Sequence, residues 1–221
     1  MMAVALAFIR ALFKGIVASS IAGTGLFALQ WDMNVIRELV SFGKWTWLQT
    51  FGAVLFAAAD RLIIGSFLGA EALARYSVFT QLAQQIHSIP SAATSVLFPL
   101  VSRKIGKDES IKKIILISSV AVLVVSFSLG IFLYLFSEGI FKLWLPDSFI
   151  ISGMSTYNAL IAAYALLAFT VVPHYILLGM KNAKVVALSN IIAGIISLGV
   201  CAFMITSFGD IAGAYSKMAY G

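Results

Sequence analysis

Charged residues are scarce in this sequence. They make up 11% of its 221 residues, whereas an ordinary soluble domain is about a quarter charged. Hydrophobic residues account for 61%, and the mean hydropathy is +1.01. A water-soluble fold cannot hide that much apolar surface, so the composition excludes a soluble globular domain and indicates a protein that lies in a lipid bilayer.

Cysteine and proline are scarce as well. The single cysteine, Cys201, excludes an intramolecular disulfide, and only four prolines interrupt the apolar runs. The short alternating segments of a transmembrane barrel are absent. Helices satisfy every backbone N–H and C=O group inside lipid. We therefore predict an all-α fold, a polytopic bundle of transmembrane helices.

Apolar runs of about 20 residues are long enough to cross a hydrocarbon core of about 30 Å. The sequence predicts about six spanning helices and the start of a seventh near residue 211. The six predicted spans are residues 3–29, 45–68, 77–101, 114–136, 155–178 and 185–208.

Basic residues fall mainly in alternate loops, and the positive-inside rule places those loops in the cytoplasm. The positive-inside pattern therefore accounts for the net charge of +6. The sequence has no basic run interleaved with aromatic residues, so we predict no nucleic-acid partner. The opposite loops carry only Arg75 and Lys142. The proposed cytoplasmic set is Arg37, Lys44, Arg103, Lys104, Lys107, Lys112, Lys113, Lys181 and Lys184.

Polar residues line one face of the third predicted span. At 100° per residue they occupy a sector of about 80°, which predicts a hydrophilic stripe facing an aqueous cavity or another helix. His87 lies beside the stripe, where it is either a proton-coupling group or a neutral hydrogen-bonded histidine. The stripe consists of Ser77, Gln81, Gln84, Ser88, Ser91 and Ser95.

The second predicted span carries a charge pair, Asp60 and Arg61, on a face that also holds Gln49. An ionised group at mid-membrane costs about 2.5 to 3.5 kcal/mol, so both charges must face protein or water. They either form a structural charge network or bind a phosphate through the arginine fork. A weaker polar stripe follows Asn190, Gly194, Ser197 and Cys201 in the sixth span.

No enzyme constellation is visible in the sequence. There is no metal-ligand spacing of histidines, cysteines and carboxylates, no nucleophile elbow and no phosphate-binding glycine loop. We therefore expect neither catalysis nor a metal or cofactor. The candidates for substrate binding are Arg61, Asp60, Gln49, Gln81, Gln84 and Ser88.

Several short segments form a recognisable pattern along the chain. They are Ser41-Phe42-Gly43-Lys44, Ala59-Asp60-Arg61-Leu62-Ile63-Ile64-Gly65, Phe67-Leu68-Gly69, Tyr76-Ser77, Leu97-Phe98-Pro99-Leu100-Val101-Ser102-Arg103, Leu178-Gly179-Met180-Lys181-Asn182 and Phe208-Gly209-Asp210-Ile211-Ala212-Gly213-Ala214. This pattern resembles the polysaccharide transporter family of bacterial O-antigen and exopolysaccharide flippases, within the larger multidrug/oligosaccharidyl-lipid/polysaccharide exporter group. Ala74-Arg75 departs from the glycine that is usual before the family's tyrosine.

The resemblance implies a flippase that moves an undecaprenyl-diphosphate-linked oligosaccharide across the bacterial inner membrane by alternating access. Family members have a dozen or more helices in two halves, about twice the number here. Residues 1–30, a leading transmembrane helix, would then be the last helix of a preceding half, and residues 31–221 would resemble most of the second half. The order of elements also fits a first half. We interpret the chain as a fragment or truncated frame that needs either the complementary half or a second copy.

Two rival functions remain. A cation-coupled multidrug exporter of the same superfamily would favour carboxylates over arginine in its cavity, which Arg61 opposes. A non-transporting scaffold or truncated remnant would use its polar stripes only for helix contacts. The sequence identifies neither the glycan nor a coupling ion.

The loop asymmetry predicts that the loop around Ser110 is cytoplasmic and the loop around Ser148 is external. In a Cys201→Ser background, single cysteines replacing Ser110 and Ser148 would be treated with an impermeant thiol reagent in intact cells. We expect labelling at position 148 and protection at position 110 until the cells are permeabilised. The reverse pattern would contradict the orientation.

Overall fold

The computed structural model describes residues 33–107, 110–143 and 145–220, and this part of the chain is helical throughout, without strands. The first predicted span, residues 3–29, lies outside the described residues. The helices are α1 (Met33–Ala83), α2 (Gln85–Thr94), α3 (Leu97–Ile105), α4 (Lys112–Lys142), α5 (Asp147–Gly179), α6 (Ala183–Phe208) and α7 (Ile211–Tyr220).

The chain divides into two compact units, Met1–Ser41 and Phe42–Gly221. In the first unit the structure describes residues 33–41, which form the beginning of α1 and include the exposed Arg37. The second unit contains the rest of α1 and all the later helices. All contacts described below lie within the second unit.

Helix α1 reverses direction at Gly69. This residue has φ 86° and ψ 178°, a backbone conformation that glycine adopts readily because it lacks a Cβ atom. The Tyr76 hydroxyl lies 2.8 Å from Asp60 Oδ2, whereas 16 residues of straight helix would separate them by about 24 Å. Residues 70–83 therefore pack back alongside the preceding arm, and the predicted loop at 69–76 is helical apart from Gly69.

Four helical stretches in the described part of the chain are long and apolar enough to span a membrane, fewer than the six predicted. The second and third predicted spans both fall in the first of these, a 67-residue stretch. One of the two spans that make up the difference, residues 3–29, lies outside the described residues, and the other merges with its neighbour because helix continues through residues predicted to form a loop. The chain is a multi-pass membrane protein. The four stretches are Leu39–Ile105, Lys112–Lys142, Asp147–Gly179 and Ala183–Phe208.

Helix α5 forms the centre of the bundle. Of its most apolar 18 residues, 56% are buried, against 17% in α4 and 22% in α6. Between residues 114 and 136 of α4 and between residues 185 and 208 of α6, the large side chains that are exposed are hydrophobic, as expected for surfaces that face lipid. Burial thus distinguishes a central helix from the helices at the lipid boundary.

An aromatic cluster joins α1, α4 and α5. Phe79, Phe141 and Tyr157 are fully buried, with ring centroids 4.9 to 5.6 Å apart. Gly153 makes this packing possible, because a Cβ atom at that position would overlap the Phe79 ring and the Arg75 side chain. A glycine in α5 thereby fixes where residues 70–83 contact α5.

An ion pair closes the same end of the bundle. Arg75 Nε lies 3.1 Å from Asp210 Oδ2, and both side chains are largely buried. Thr156 donates a hydrogen bond to Asp210 Oδ1 at 2.9 Å, and Arg75 also contacts Ser152 Oγ at 3.3 Å. The arginine that departs from the family pattern is thus a structural link between α1, α5 and the α6–α7 turn.

Proline 90 leaves one backbone carbonyl without its usual donor. Proline has no N–H, so the carbonyl of Ile86, four residues earlier, loses its helical partner. Ser126 on α4, fully buried, donates a hydrogen bond to this carbonyl at 3.1 Å. A side chain from a neighbouring helix therefore satisfies the carbonyl that Pro90 frees inside α2.

Replacing Gly153 by alanine should destabilise the bundle by about 1 to 3 kcal/mol, because the added methyl group must displace Phe79 or Arg75. The free energy of unfolding would be measured by SDS titration in mixed micelles. Gly139→Ala is the matched control, since nothing lies within 4 Å of its Cβ position. Equal stability of the two variants would contradict this packing.

Replacing Ser126 by alanine should cost about 0.6 to 1.7 kcal/mol, the range for a side-chain hydrogen bond between membrane helices. The same unfolding measurement applies. Ser128→Ala, at an exposed position on the same helix, should leave stability nearly unchanged. If the two serine variants lose the same stability, the Ile86 carbonyl does not depend on Ser126.

Candidate functional site

A cavity of about 310 Å³ lies between both arms of α1 and helices α2, α5, α6 and α7. Its walls combine apolar side chains with polar and charged ones, although the surrounding helices are predominantly apolar. Polar groups enclosed in this way usually mark a substrate or ion pathway in a membrane protein. The cavity is therefore the candidate site.

Asp60 is the only carboxylate among the described residues that line the cavity, and it is 2% exposed. Its Oδ1 accepts a hydrogen bond from the Arg61 backbone N–H at 2.8 Å. Its Oδ2 accepts one from the Tyr76 hydroxyl at 2.8 Å and pairs with Lys217 Nζ, also at 2.8 Å. Three donors thus compensate the charge of a buried carboxylate.

Helix α7 approaches this carboxylate closely because of a glycine. A Cβ atom at Gly213 would lie 2.5 Å from Tyr76 Cε2, so only glycine leaves room for the ring. Lys217 follows one helical turn later on α7 and reaches Asp60 directly. Tyr76 and Lys217 are therefore brought to one oxygen of Asp60 by the same helix contact.

The Arg61 side chain lines the cavity and is partly exposed. Within the described part of the chain its guanidinium has no carboxylate within ion-pair distance and no hydrogen bond. Arg61 and Lys217 together outnumber the single carboxylate, so with neutral histidines the lining carries a net charge of +1. A cavity of this charge attracts anions.

Neutral polar groups line the part of the cavity near Gln49. The Gln49 amide nitrogen lies 3.2 Å from His174 Nε2, and Ser91 Oγ lies 3.3 Å from the Tyr175 hydroxyl. Gln49 Oε1 is buried without a hydrogen-bond partner among the described residues. An unpartnered acceptor at the wall of a cavity can accept a hydrogen bond from a ligand hydroxyl.

The structure brings four of the six sequence-predicted site residues to this cavity: Gln49, Asp60, Arg61 and Gln84. It does not bring Gln81 or Ser88 there. Gln81 is exposed, and Ser88 donates a hydrogen bond to Gln85 Oε1 at 3.1 Å. Their proposed role in binding stays a prediction.

The cavity meets one edge of the predicted stripe instead of its centre. The residues that line it from this segment are centred about 50° around the helix from the stripe, at 100° per residue. The opposite edge of the stripe points outward. The lining residues of this segment are Thr80, Gln84, His87 and Ser91.

Sequence reasoning missed Lys217 and Tyr76. Lys217 lies in the predicted seventh helix. A charge in an apolar helix is costly, so the argument applied to Asp60 would also have identified Lys217. Tyr76 lay outside the predicted spans, so the cost of burial in lipid did not identify it; only the family resemblance marked it, without a role. Only the reversal at Gly69 places its hydroxyl beside Asp60.

Within the described residues, no three histidine, cysteine or carboxylate side chains are grouped so that they could hold a metal ion. The polar groups that converge in the cavity are hydrogen-bond donors, amides and cations. This set of groups is suited to an anionic, oxygen-rich ligand.

Comparisons with known proteins identify the family of the chain. A family profile described as "Polysaccharide biosynthesis protein" matches residues 1–152. A protein of Shigella flexneri named "Putative O-antigen transporter" is 22% identical over 183 residues, which cover 83% of this chain and 44% of that protein. The chain thus spans less than half the length of this relative. No solved structure matches this chain.

The family profile covers more than half of the chain and includes the segment from Asp60 to Ser91 that supplies much of the cavity. The resemblance drawn from short sequence segments is confirmed at the level of the family. This chain belongs to the family of polysaccharide biosynthesis proteins.

Proposed function

We propose that the chain is part of a flippase that moves a lipid-linked oligosaccharide across the bacterial inner membrane by alternating access. The observation that carries the proposal is a cavity of net positive charge inside an apolar helix bundle. The family match and the relative named as an O-antigen transporter support the same direction. The proposal assigns no catalytic step and no cofactor to the chain.

Arg61 is the residue that we expect to bind the diphosphate of an undecaprenyl-diphosphate-linked substrate. Its planar guanidinium presents five donors and matches phosphate oxygens in pairs. The described residues offer it no competing carboxylate, because Asp60 is already bound by Tyr76 and Lys217. An anion that enters the cavity therefore meets a cation whose donors are available.

The size of the cavity limits what it can hold. At about 310 Å³ it lies at the lower end of small-ligand pockets, which favours a headgroup over a whole oligosaccharide. In this proposal the cavity receives the diphosphate, and Gln49 and Gln84 contact nearby hydroxyl groups. The remaining sugars then need space outside this cavity.

The outward edge of the polar stripe supports a partner in the membrane. Gln81 and Ser95 of the stripe, and Gln85 beside it, are exposed in a predicted span, whereas the large side chains that α4 exposes between residues 114 and 136 are hydrophobic. Polar groups in contact with lipid are unfavourable, so this edge requires water or protein. We propose that a complementary half, or a second copy of the chain, faces it and completes the transport pathway.

A proline in the cavity wall is consistent with alternating access. The wall stays helical through Gln84 and residues 95–96, and Pro90 lies inside α2 between these positions. Proline removes a helical hydrogen bond and commonly bends a helix. Pro90 therefore gives the wall a position at which it can bend.

The rival functions make different demands on the cavity. An exporter of amphipathic cations needs available carboxylates, but the lining contributes only Asp60 among the described residues, and Lys217 pairs with it. A scaffold needs no cavity, and its polar residues would be expected to satisfy one another. The unpartnered Gln49 oxygen and the Arg61 guanidinium favour a site that binds a ligand.

Replacing Arg61 tests the proposal. Arg61→Lys should reduce export because it keeps the charge and loses the paired donors, and Arg61→Ala should reduce it further, by about tenfold or more. The measurement is the appearance of periplasmic glycan in a strain that lacks its own flippase. The variants would be expressed in the natural reading frame and compared at equal membrane abundance.

Arg103→Ala is the matched control, because Arg103 is an exposed arginine at the end of α3, outside the cavity. It should leave export near the unmodified level. Full export by well-expressed Arg61→Ala would remove the phosphate role and leave Arg61 as a structural charge.

A further inference from the structure

We propose that Lys217 is a second anion-binding cation of the cavity, held by Asp60 in the empty site and transferred to the ligand phosphate when the site is occupied. The inference rests on the proposed function of the same cavity, since it concerns how that cavity handles an anion. In this proposal Asp60 and the ligand phosphate compete for the Lys217 ammonium group. Asp60 itself does not contact the ligand.

The geometry makes the Lys217 contact replaceable. Lys217 Nζ lies 2.8 Å from Asp60 Oδ2, an oxygen that also accepts a hydrogen bond from the Tyr76 hydroxyl. An ammonium group has three donors and no fixed plane, so it can turn from one oxygen to another at little geometric cost. The Lys217 side chain is 15% exposed and lines the cavity, where a ligand can reach it.

Asp60 would not be left bare after such a transfer. Removing one partner of a buried pair is expensive when it strands an uncompensated charge. Here the Arg61 backbone N–H still binds Oδ1 and the Tyr76 hydroxyl still binds Oδ2. These two donors are fixed by the α1 backbone and by packing against Gly213, so they remain when Lys217 turns away.

A diphosphate has the charge to compete for this lysine. Phosphate groups carry more negative charge than one carboxylate and offer several acceptor oxygens. Asp60 also shares its charge among three donors, which weakens its hold on any one of them. With a diphosphate bound, Arg61 and Lys217 would both face the ligand.

The transfer would also link ligand occupancy to α7. Lys217 is the only described residue of α7 that forms an ion pair with α1, and Gly213 on the same helix contacts Tyr76. Moving Lys217 to the ligand removes the ionic part of this contact and leaves the packing part. Occupancy of the cavity thus changes how strongly α7 is held to α1.

The test measures the affinity of the purified chain in detergent for farnesyl diphosphate, a short prenyl diphosphate. Lys217→Gln should weaken binding by about tenfold or more, as expected for one hydrogen bond between charged groups. Asp60→Asn should tighten binding several-fold because it releases Lys217. The exposed Lys113→Gln should leave the affinity unchanged.

The double variant Asp60→Asn/Lys217→Gln separates transfer from a simple effect of net charge. It restores the net charge of the cavity, so a purely electrostatic field predicts the affinity of the unmodified chain. Transfer of Lys217 predicts the weak binding of Lys217→Gln alone, because no lysine remains to be released. An affinity equal to that of the unmodified chain would overturn the inference.

Lys217→Arg keeps a cation at this position and should retain most of the binding, which guards against a loss that reflects misfolding. Each variant would be compared by its elution volume and thermal unfolding in detergent. If Arg61→Ala weakens binding and Lys217→Gln does not, this inference fails and the proposed function stands. If neither variant weakens binding, the proposed anion site fails as well.

Discussion

An ionised carboxylate inside an apolar helix bundle is costly unless donors surround it, and Asp60 imposes that requirement on this protein. Its donors come from three places: the next residue of its own helical arm, the arm after Gly69, and α7. The reversal at Gly69 and the contact at Gly213 are the features that allow them to meet. One buried charge thus determines how these segments pack at the cavity.

The same requirement, that every polar group in lipid be satisfied, recurs through the bundle. Ser126 satisfies the carbonyl that Pro90 frees, and Asp210 is satisfied by Arg75 and Thr156. Four buried side-chain atoms of the described residues have no hydrogen-bond partner: those of Gln49 and Thr80 line the cavity, and those of Tyr157 and Asn158 do not. What sets the cavity apart is that an unpartnered Gln49 oxygen and the Arg61 guanidinium, which has no carboxylate within ion-pair distance, lie in the same cavity wall.

Much of the site was predictable because membrane burial makes polar residues informative. The cost of a charge in lipid identified Asp60 and Arg61, and helical spacing identified Gln49, Gln84, Asn190 and Ser197, all of which line the cavity. The stripe through Gln81 and Ser88 was a real polar face, but spacing alone could not say which of its edges faces inward. The orientation of a helix about its axis depends on the helices that pack against it. Here the centre of the stripe lies about 50° around the helix from the residues that line the cavity.

Composition and hydropathy were enough to predict that the protein lies in a lipid bilayer and is helical, because scarce charge and long apolar runs allow only helices in lipid. The sequence also determined that some buried charges would need partners. The identity of these partners follows from the tertiary structure alone. The pairing of Asp60 with Tyr76 and Lys217 depends on a chain reversal at one glycine and a close approach at another, and periodicity along a single helix contains no information about either.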